Sequence, residues 1–310
     1  MDNDPPCNRR EIPPGAAEGH WLAADGTAIR RFDWTPTGPA RGALLFLPGR
    51  GDFYEKYLEA LAHWQARGWA VTALDWRGQA LSGRAGADPL TGHVGDFALW
   101  VADLAAFWRG WATGAGPRVV VAHSMGGNIA LRYTGLYPEN VRRLVAIEGL
   151  GHSPAVQAER DAIGIQKRFR QWIEDKRNAS GRLHRRYQTL DAALDRMKAE
   201  NTYLTDEQAR HLTIHGASRN EDGTWSWKFD NYLNIWAAFD MPREDLHAIW
   251  NAITCPVLML YGANSWASNP EKDGRISHFS SARVVEYENA GHWLHHDQFD
   301  RFMADLRAFL

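Results

Sequence analysis

Apolar residues recur along the chain at two spacings, and the alternation between them predicts the elements. Residues 20–34 (HWLAADGTAIRRFDW) read as two strands joined by an Asp-Gly turn, the strongest short hairpin signal. Residues 42–49 (GALLFLPG) form a continuous apolar run ending in Pro-Gly, as in a strand buried on both faces. Residues 54–68 keep helical spacing up to a glycine, and 69–75 (WAVTALD) read as the next buried strand. Beyond a glycine-rich loop, residues 97–111 put Trp100, Leu104, Phe107 and Trp111 on one helical face. A strand at 118–123, a helix through Tyr137 and a strand at 143–149 continue the series. This rhythm implies an α/β fold: a mainly parallel sheet with helices on both faces.

From about residue 153 to 250 the rhythm is lost. The stretch is polar, charged and helical in pattern, with one Asp-Gly turn inside 220–227. Strands return at 255–262 and 282–292, followed by an amphipathic helix over 297–310. The later strands need the first half's sheet to bury them. Residues 1–152 and 251–310 are therefore expected to be two halves of one core, interrupted by a helical cap over 153–250. No internal repeat or low-complexity segment is visible.

Composition narrows the function classes without choosing among them. The chain has 310 residues and a net charge of −2, with no basic cluster that would favour nucleic acid or an anionic membrane. Cys7 and Cys255 lack metal-ligand spacing and a disulfide framework, so they read as a terminal thiol and a core thiol. The first residues are polar and proline-rich, without the apolar stretch of a signal peptide, and no segment reaches the roughly 20 apolar residues of a membrane span. A cytoplasmic protein without cofactor or metal is the expectation. The 15 tryptophans are unusual and bear on the shape of any pocket.

The stretch VVVAHSMGGNIAL, residues 119–131, carries the candidate chemistry. It reads as a strand that turns abruptly into a helix with Ser124 at the corner, close to the G-x-S-x-G pattern but with Ala122 in place of the first glycine. A serine hydroxyl is a poor nucleophile at neutral pH and needs a base, an acid that orients the base, and N–H donors for the oxyanion. A sharp corner lifts the hydroxyl above the sheet and aims the helix N-terminus at the developing charge. The alternative is an ordinary strand-to-helix turn. Gly49 and Arg50 follow a buried strand in FLPGRGD, so the backbone N–H of Arg50 can supply one oxyanion donor and that of Met125 the other; a simple Pro-Gly turn is the competing reading. His292, in ENAGHWLHH, follows a strand where a parallel sheet's functional edge should be, and is the candidate base. His295 and His296 read as structural or surface groups, and His123 as pointing away into packing.

With these residues in order, the chain resembles an α/β-hydrolase over nearly everything after about residue 20. GWAVTALDWRGQALSGR resembles the lysophospholipase and monoacylglycerol-lipase-like members. YPENVRRLVAIEGLG and ITCPVLMLYGANSWASNP are similar to the serine-hydrolase-like and meta-cleavage-product hydrolase groups. The resemblance implies a nucleophile–acid–histidine triad with Ser124 and His292 in it. Most members carry the acid as an aspartate after the strand that follows the cap, but Asn264 and Ser265 occupy those positions here. Two carboxylates remain open. Glu148 ends the strand after the nucleophile helix, an arrangement that resembles haloalkane dehalogenases and some lactone hydrolases; Asp273 lies further along, in what reads as an exposed helix start. A glutamate ending an apolar strand needs a partner to be tolerated there.

Trp266 and Trp293 lie beside these corners and are candidate substrate contacts; Trp225, Trp227 and Trp236 sit in the cap segment. The Arg50 guanidinium is read as a surface ion pair with Asp52 or Glu55, or as a contact for an acidic substrate. The resemblance implies a small-molecule ester or lactone substrate cleaved through an acyl-enzyme. Carbon–carbon bond hydrolysis and a slow-turnover hydrolase-fold receptor are the alternatives. Dehalogenase and epoxide hydrolase chemistry would require an aspartate at position 124.

Overall fold

The computed structural model describes residues 12–84, 96–112, 114, 116–180, 185–201, 204–228, 235, 237, 238 and 240–310. The chain opens with the hairpin β1 (Ala16–Leu22) and β2 (Ala28–Trp34), then β3 (Gly42–Leu47), α1 (Leu58–Ala66), β4 (Trp69–Leu74), α2 (Phe97–Gly110), β5 (Arg118–His123), α3 (Met125–Leu136) and β6 (Arg143–Ile147). An insertion follows: α4 (Pro154–Ala162), α5 (Ile165–Ser180), α6 (Leu190–Glu200), α7 (Asp206–Gly216), a short hairpin of β7 (Ala217–Arg219) and β8 (Trp225–Trp227), and α8 (Arg243–Asn251). The core resumes with β9 (Val257–Gly262), α9 (Pro270–Asp273), β10 (Ala282–Tyr287), α10 (Leu294–Asp297) and α11 (Phe299–Phe309).

Eight strands form one sheet in the order β1-β2-β4-β3-β5-β6-β9-β10. β1, β2 and β4 pair antiparallel, and every pairing from β4 through β10 is parallel. The central strands are apolar throughout because both sheet faces are covered, and their side chains alternate between two cores. Leu45, Leu47, Val120 and Ala122 pack with Trp100, Leu104, Phe107 and Ile129 on one face. Leu44, Phe46, Val119 and Val121 pack with Leu61, Trp64, Phe302 and Leu306 on the other. The predicted stripe of α2, with Trp111 just past its end, is buried as a whole. β9 pairs with both β6 and β10, so the sheet is continuous across the insertion.

Local boundaries differ from the sequence pattern for identifiable reasons. The helix predicted from residue 54 begins with a 3-10 turn at Tyr54–Tyr57, where Tyr54 N–H bonds the Asp75 carboxylate instead of entering an α-helix. The final strand stops at Tyr287, and Asn289 takes a left-handed φ of 57° that turns the chain toward His292. The last helix is split into α10 and α11 at Gln298, whose backbone leaves the helical region at φ −136° and ψ 58°.

The insertion is tied to the core by polar contacts. Arg132 makes a two-pronged ion pair with Asp240 (2.8 and 2.7 Å), and His211 bonds the Glu55 carbonyl at 2.7 Å. No described helix is long and apolar enough to cross a membrane. Cys255 is buried, while Cys7 and Trp236 lie outside the described residues.

Candidate active site

Parallel strands deliver their C-terminal ends to one edge of the sheet, and the candidate residues gather there. Ser124 joins β5 to α3 with φ 51° and ψ −118°, a conformation that costs a non-glycine residue on the order of 1–3 kcal/mol. Its amide N–H bonds the Ile147 carbonyl at 2.7 Å, which anchors the corner to the neighbouring strand end. Gly126 allows the close approach this requires: a Cβ there would lie 2.5 Å from the carbonyl oxygens of Leu47 and Pro48. Ala122, by contrast, is fully buried in the sheet, so a methyl at that position is accommodated.

Three side chains meet across long sequence separations. The Ser124 hydroxyl lies 3.0 Å from His292 Nε2, and His292 Nδ1 lies 2.5 Å from Glu148 Oε2. Glu148, with φ 50°, follows the last residue of β6 and is 3 % exposed. Its second oxygen accepts the Gly262 N–H at 2.7 Å, and Oε2 also accepts the Ser265 hydroxyl at 2.5 Å. This buried carboxylate is therefore satisfied on both oxygens, as its burial demands. Ser265 stands where the resemblance leads one to expect part of the acid motif; here it supports the carboxylate supplied from the other strand.

The other open carboxylate is engaged elsewhere. Asp273 ends α9 and binds the Arg275 guanidinium at 2.7 Å, which holds its carboxyl below the usual range against the opposing effect of burial. Arg275 also bonds the carbonyls of Gly151, His152 and Ser268, so this pair ties together the loops after β6 and β9.

Met125, the second predicted oxyanion donor, opens α3, and its N–H has no acceptor among the described residues. Arg50 follows Gly49 in the loop after β3. That loop is clamped by Gln79, whose Oε1 accepts the Gly51 N–H at 2.6 Å and whose amide group lies 3.8 Å from Met125 Sδ. Gln79 thus touches the segments of both candidate oxyanion donors, a contact the sequence pattern does not reveal. The Arg50 side chain corrects an expectation. Asp52 and Glu55 pair with Lys56 and Arg30 instead, and Arg50 Nη2 reaches the Ile235 carbonyl in the insertion at 2.5 Å. Burial lowers its guanidinium to about 10.

His123 is buried within a polar network. Its Nε2 lies 2.9 Å from the His292 carbonyl, and its Nδ1 lies 2.9 Å from the Tyr57 hydroxyl and 3.2 Å from Asp52 Oδ2. Tyr57 also donates to Asp52 at 2.5 Å. His295 is buried against the rings of Tyr57 and His123, while His296 is partly buried beside it. The ring of Trp266 lies 4.7 Å from that of His292 and the ring of Trp293 lies 5.3 Å away; both indoles are exposed. In the insertion, Trp227 donates to the Tyr187 hydroxyl, and its hairpin lies beside Phe53 at Gly216.

Known proteins share this framework. The family described as serine aminopeptidase, S33, matches residues 38–299. Lysophospholipase L2 of Escherichia coli is 42% identical over 98 residues, covering 31% of this chain and 28% of that protein. A serine hydrolase-like protein of Danio rerio is 28% identical over 172 residues, covering 54% of this chain and 48% of its own. The chain thus spans less than half the length of either curated relative. Among solved structures, a Mycobacterium tuberculosis esterase superposes with a TM-score of 0.72 at 20% identity, over 98% of this chain and 94% of that one, a likeness of fold.

Proposed function

The chain belongs to the family of α/β hydrolases described as serine aminopeptidase, S33, and we propose that it hydrolyses carboxylic esters or lactones through an acyl-enzyme on Ser124. The observation that carries this reading is the continuous hydrogen-bonded series from Ser124 through His292 to Glu148 at 3.0 and 2.5 Å. The names of curated relatives support the ester class: lysophospholipase, esterase and monoacylglycerol lipase.

In the proposed reaction Ser124 Oγ attacks the acyl carbon as its proton passes to His292 Nε2. Glu148 accepts the Nδ1–H of His292, which leaves the Nε2 lone pair facing the serine, and it stabilises the imidazolium that forms. The N–H groups of Met125 and Arg50 bind the oxyanion, the first assisted by the positive end of α3. His292 returns the proton to the leaving alkoxide, and water then attacks the acyl-enzyme by the same route. Residues 153–250 serve as the cap over this site, excluding water and supplying apolar walls; Trp266 and Trp293 flank the histidine on the open side. Arg50, reaching from the oxyanion loop to Ile235, links the cap to the catalytic edge.

The test is a panel of p-nitrophenyl esters of graded acyl length, several lactones, and aminoacyl p-nitroanilides. Turnover of at least one ester or lactone, with selectivity that moves in Trp225→Ala or Trp227→Ala, is the expected result. Cleavage of the anilides alone would transfer the site to peptide chemistry, and stoichiometric acylation without turnover would favour a receptor.

A further inference from the structure

One turn at the end of β9, residues 262–266, holds both Glu148 and the segment that carries His292. The Gly262 N–H and the Ser265 hydroxyl bond the Glu148 carboxylate at 2.7 and 2.5 Å. The same turn grips the chain leading to His292: the Ala263 N–H bonds the Tyr287 carbonyl at 2.9 Å, and the Asn264 N–H bonds the Ala290 carbonyl at 3.0 Å. The approach is so close that a Cβ on Gly262 would lie 2.4 Å from the Gly291 carbonyl oxygen and 2.5 Å from that of Ala290. Trp266, the next residue after Ser265, lays its ring 4.7 Å from that of His292.

Ser265 is held firmly within this turn. Its N–H bonds the Gly262 carbonyl at 3.1 Å, and its hydroxyl oxygen accepts the Ala267 N–H at 3.1 Å. The hydroxyl proton is then the one directed at Glu148, because an ionised carboxylate only accepts. That bond ends on Oε2, the oxygen that also meets His292 Nδ1 at 2.5 Å, while Oε1 is taken by the Gly262 N–H. One oxygen thus serves two donors. Charge on Oε2 that is drawn toward the hydroxyl is less available to an imidazolium.

We propose that Ser265 is a positioning residue for the reaction assigned to Ser124: it fixes which oxygen of Glu148 faces His292 and moderates that oxygen's hold on the imidazolium. The proposal rests on the reading of Ser124, His292 and Glu148 as the reacting series. Ser265 touches no reacting atom, and its effect falls on the pH range in which His292 is free to take the serine proton. Without the hydroxyl, His292 is the donor left on Oε2, the imidazolium is held more tightly, and a higher pH is needed to free the ring. The other titratable rings beside His292 are His123, 4.8 Å away, and His295, which packs on His123. Neither bonds Ser265, and Lys56, over the Trp293 ring, is paired with Asp52. A change at position 265 therefore reaches His292 through Glu148.

The pH profile of kcat/KM for a p-nitrophenyl ester decides the matter. In Ser265→Ala the acidic limb should move up by about 0.5–1 pH unit, with KM on the plateau within about twofold of wild type. Ser265→Thr, which keeps the hydroxyl, should hold the limb at the wild-type position. Ser265→Cys, close in size but a weaker donor, should move it the same way by less, and it carries the test if the alanine variant does not fold. A limb that stayed in place in Ser265→Ala, or in Ser265→Cys where that variant stands in, would overturn the proposal. So would a limb displaced as far in Ser265→Thr as in Ser265→Ala, since the bond would then serve the shape of the turn alone. Ester turnover that survived in Ser124→Ala would instead overturn the reading beneath it. An inactive Ser124→Ala beside an unmoved limb in Ser265→Ala would leave that reading standing and remove the role of Ser265.

Discussion

Two acid–histidine pairs lie side by side in this protein, with ring centroids 4.8 Å apart, and they differ in what the Nε2 nitrogen meets. Glu148 accepts from His292 Nδ1, so Nε2 is the bare nitrogen, and it faces the Ser124 hydroxyl. His123 meets the main-chain carbonyl of His292 through Nε2, and a carbonyl can only accept. The His123 proton therefore sits on Nε2. Burial lowers the pKa of this ring while Asp52, 3.2 Å from Nδ1, opposes that shift, and Nδ1 lies among Tyr57 and Asp52 rather than beside a nucleophile. In the proposed reaction the first pair takes the proton of Ser124. The other has its proton committed to the backbone of the first. Residue identity alone does not make a catalytic pair; the partner of the second nitrogen decides.

The strongest way to break this comparison is to remove the group that only one pair serves. Ser124→Ala should abolish ester turnover and fluorophosphonate labelling, and His292→Ala should lower kcat by about 10⁴-fold or more, since such groups act as a unit. Labelling that survived in Ser124→Ala would end the proposed mechanism. Next comes the tautomer itself. Glu148→Gln should lower kcat by about 10²–10⁴ with little change in KM, because proton transfer is impaired and binding is not. Asp273→Asn, measured beside it, should cost less than about tenfold in kcat; the reverse ranking would reassign the acid.

The second pair should respond on a different axis. His123→Ala leaves the His292 carbonyl without its donor and opens a buried space, so it should destabilise the fold by roughly 2–4 kcal/mol in urea unfolding. Below the unfolding transition its kcat should remain within about tenfold of wild type. A fall as deep as that of Glu148→Gln, at full folding, would give His123 a share in proton transfer.

The smallest effect is a tilt with pH. Burial lowers the pKa of His123, His295 and His296, the last to about 3. A histidine whose folded pKa lies below its unfolded value of roughly 6.5 contributes stability that is complete above that value. The contribution is lost as pH falls from there, because the unfolded chain takes up the protons that the folded core resists. The urea midpoint should therefore decline between pH 7.5 and 5.5, and His295→Phe, which removes a buried titrating ring, should flatten the decline. A midpoint that fell equally in wild type and variant would assign the acid sensitivity to other groups.

Elements governed by local spacing are legible in the sequence itself. The apolar runs of β3, β4 and β5, the stripe of α2 and the corner at Ser124 depend on neighbours within a few residues, as do the Asp-Gly turns. The α/β class and the order of serine, acid and histidine follow from the same patterns and the resemblance they carry. Position 148 is readable as a candidate because a carboxylate ending an apolar strand needs a partner, but the partner is not: His292 lies 144 residues away and is brought in by the pairing of β6 with β9 and of β9 with β10. Ser265, Gln79, Asp52 and Tyr57 leave no local signal, since short polar side chains in loops look alike until folding supplies their partners. The reading that His123 points into packing leaves its partners unnamed for the same reason. Alternation along a strand says which face a ring takes, not whether that face offers methyl groups or a phenol, a carboxylate and a carbonyl. Sequence determined which residues could do chemistry, because spacing builds elements. Tertiary structure decided which of them meet and which nitrogen carries the proton, because hydrogen bonds between distant segments exist only after the sheet has assembled.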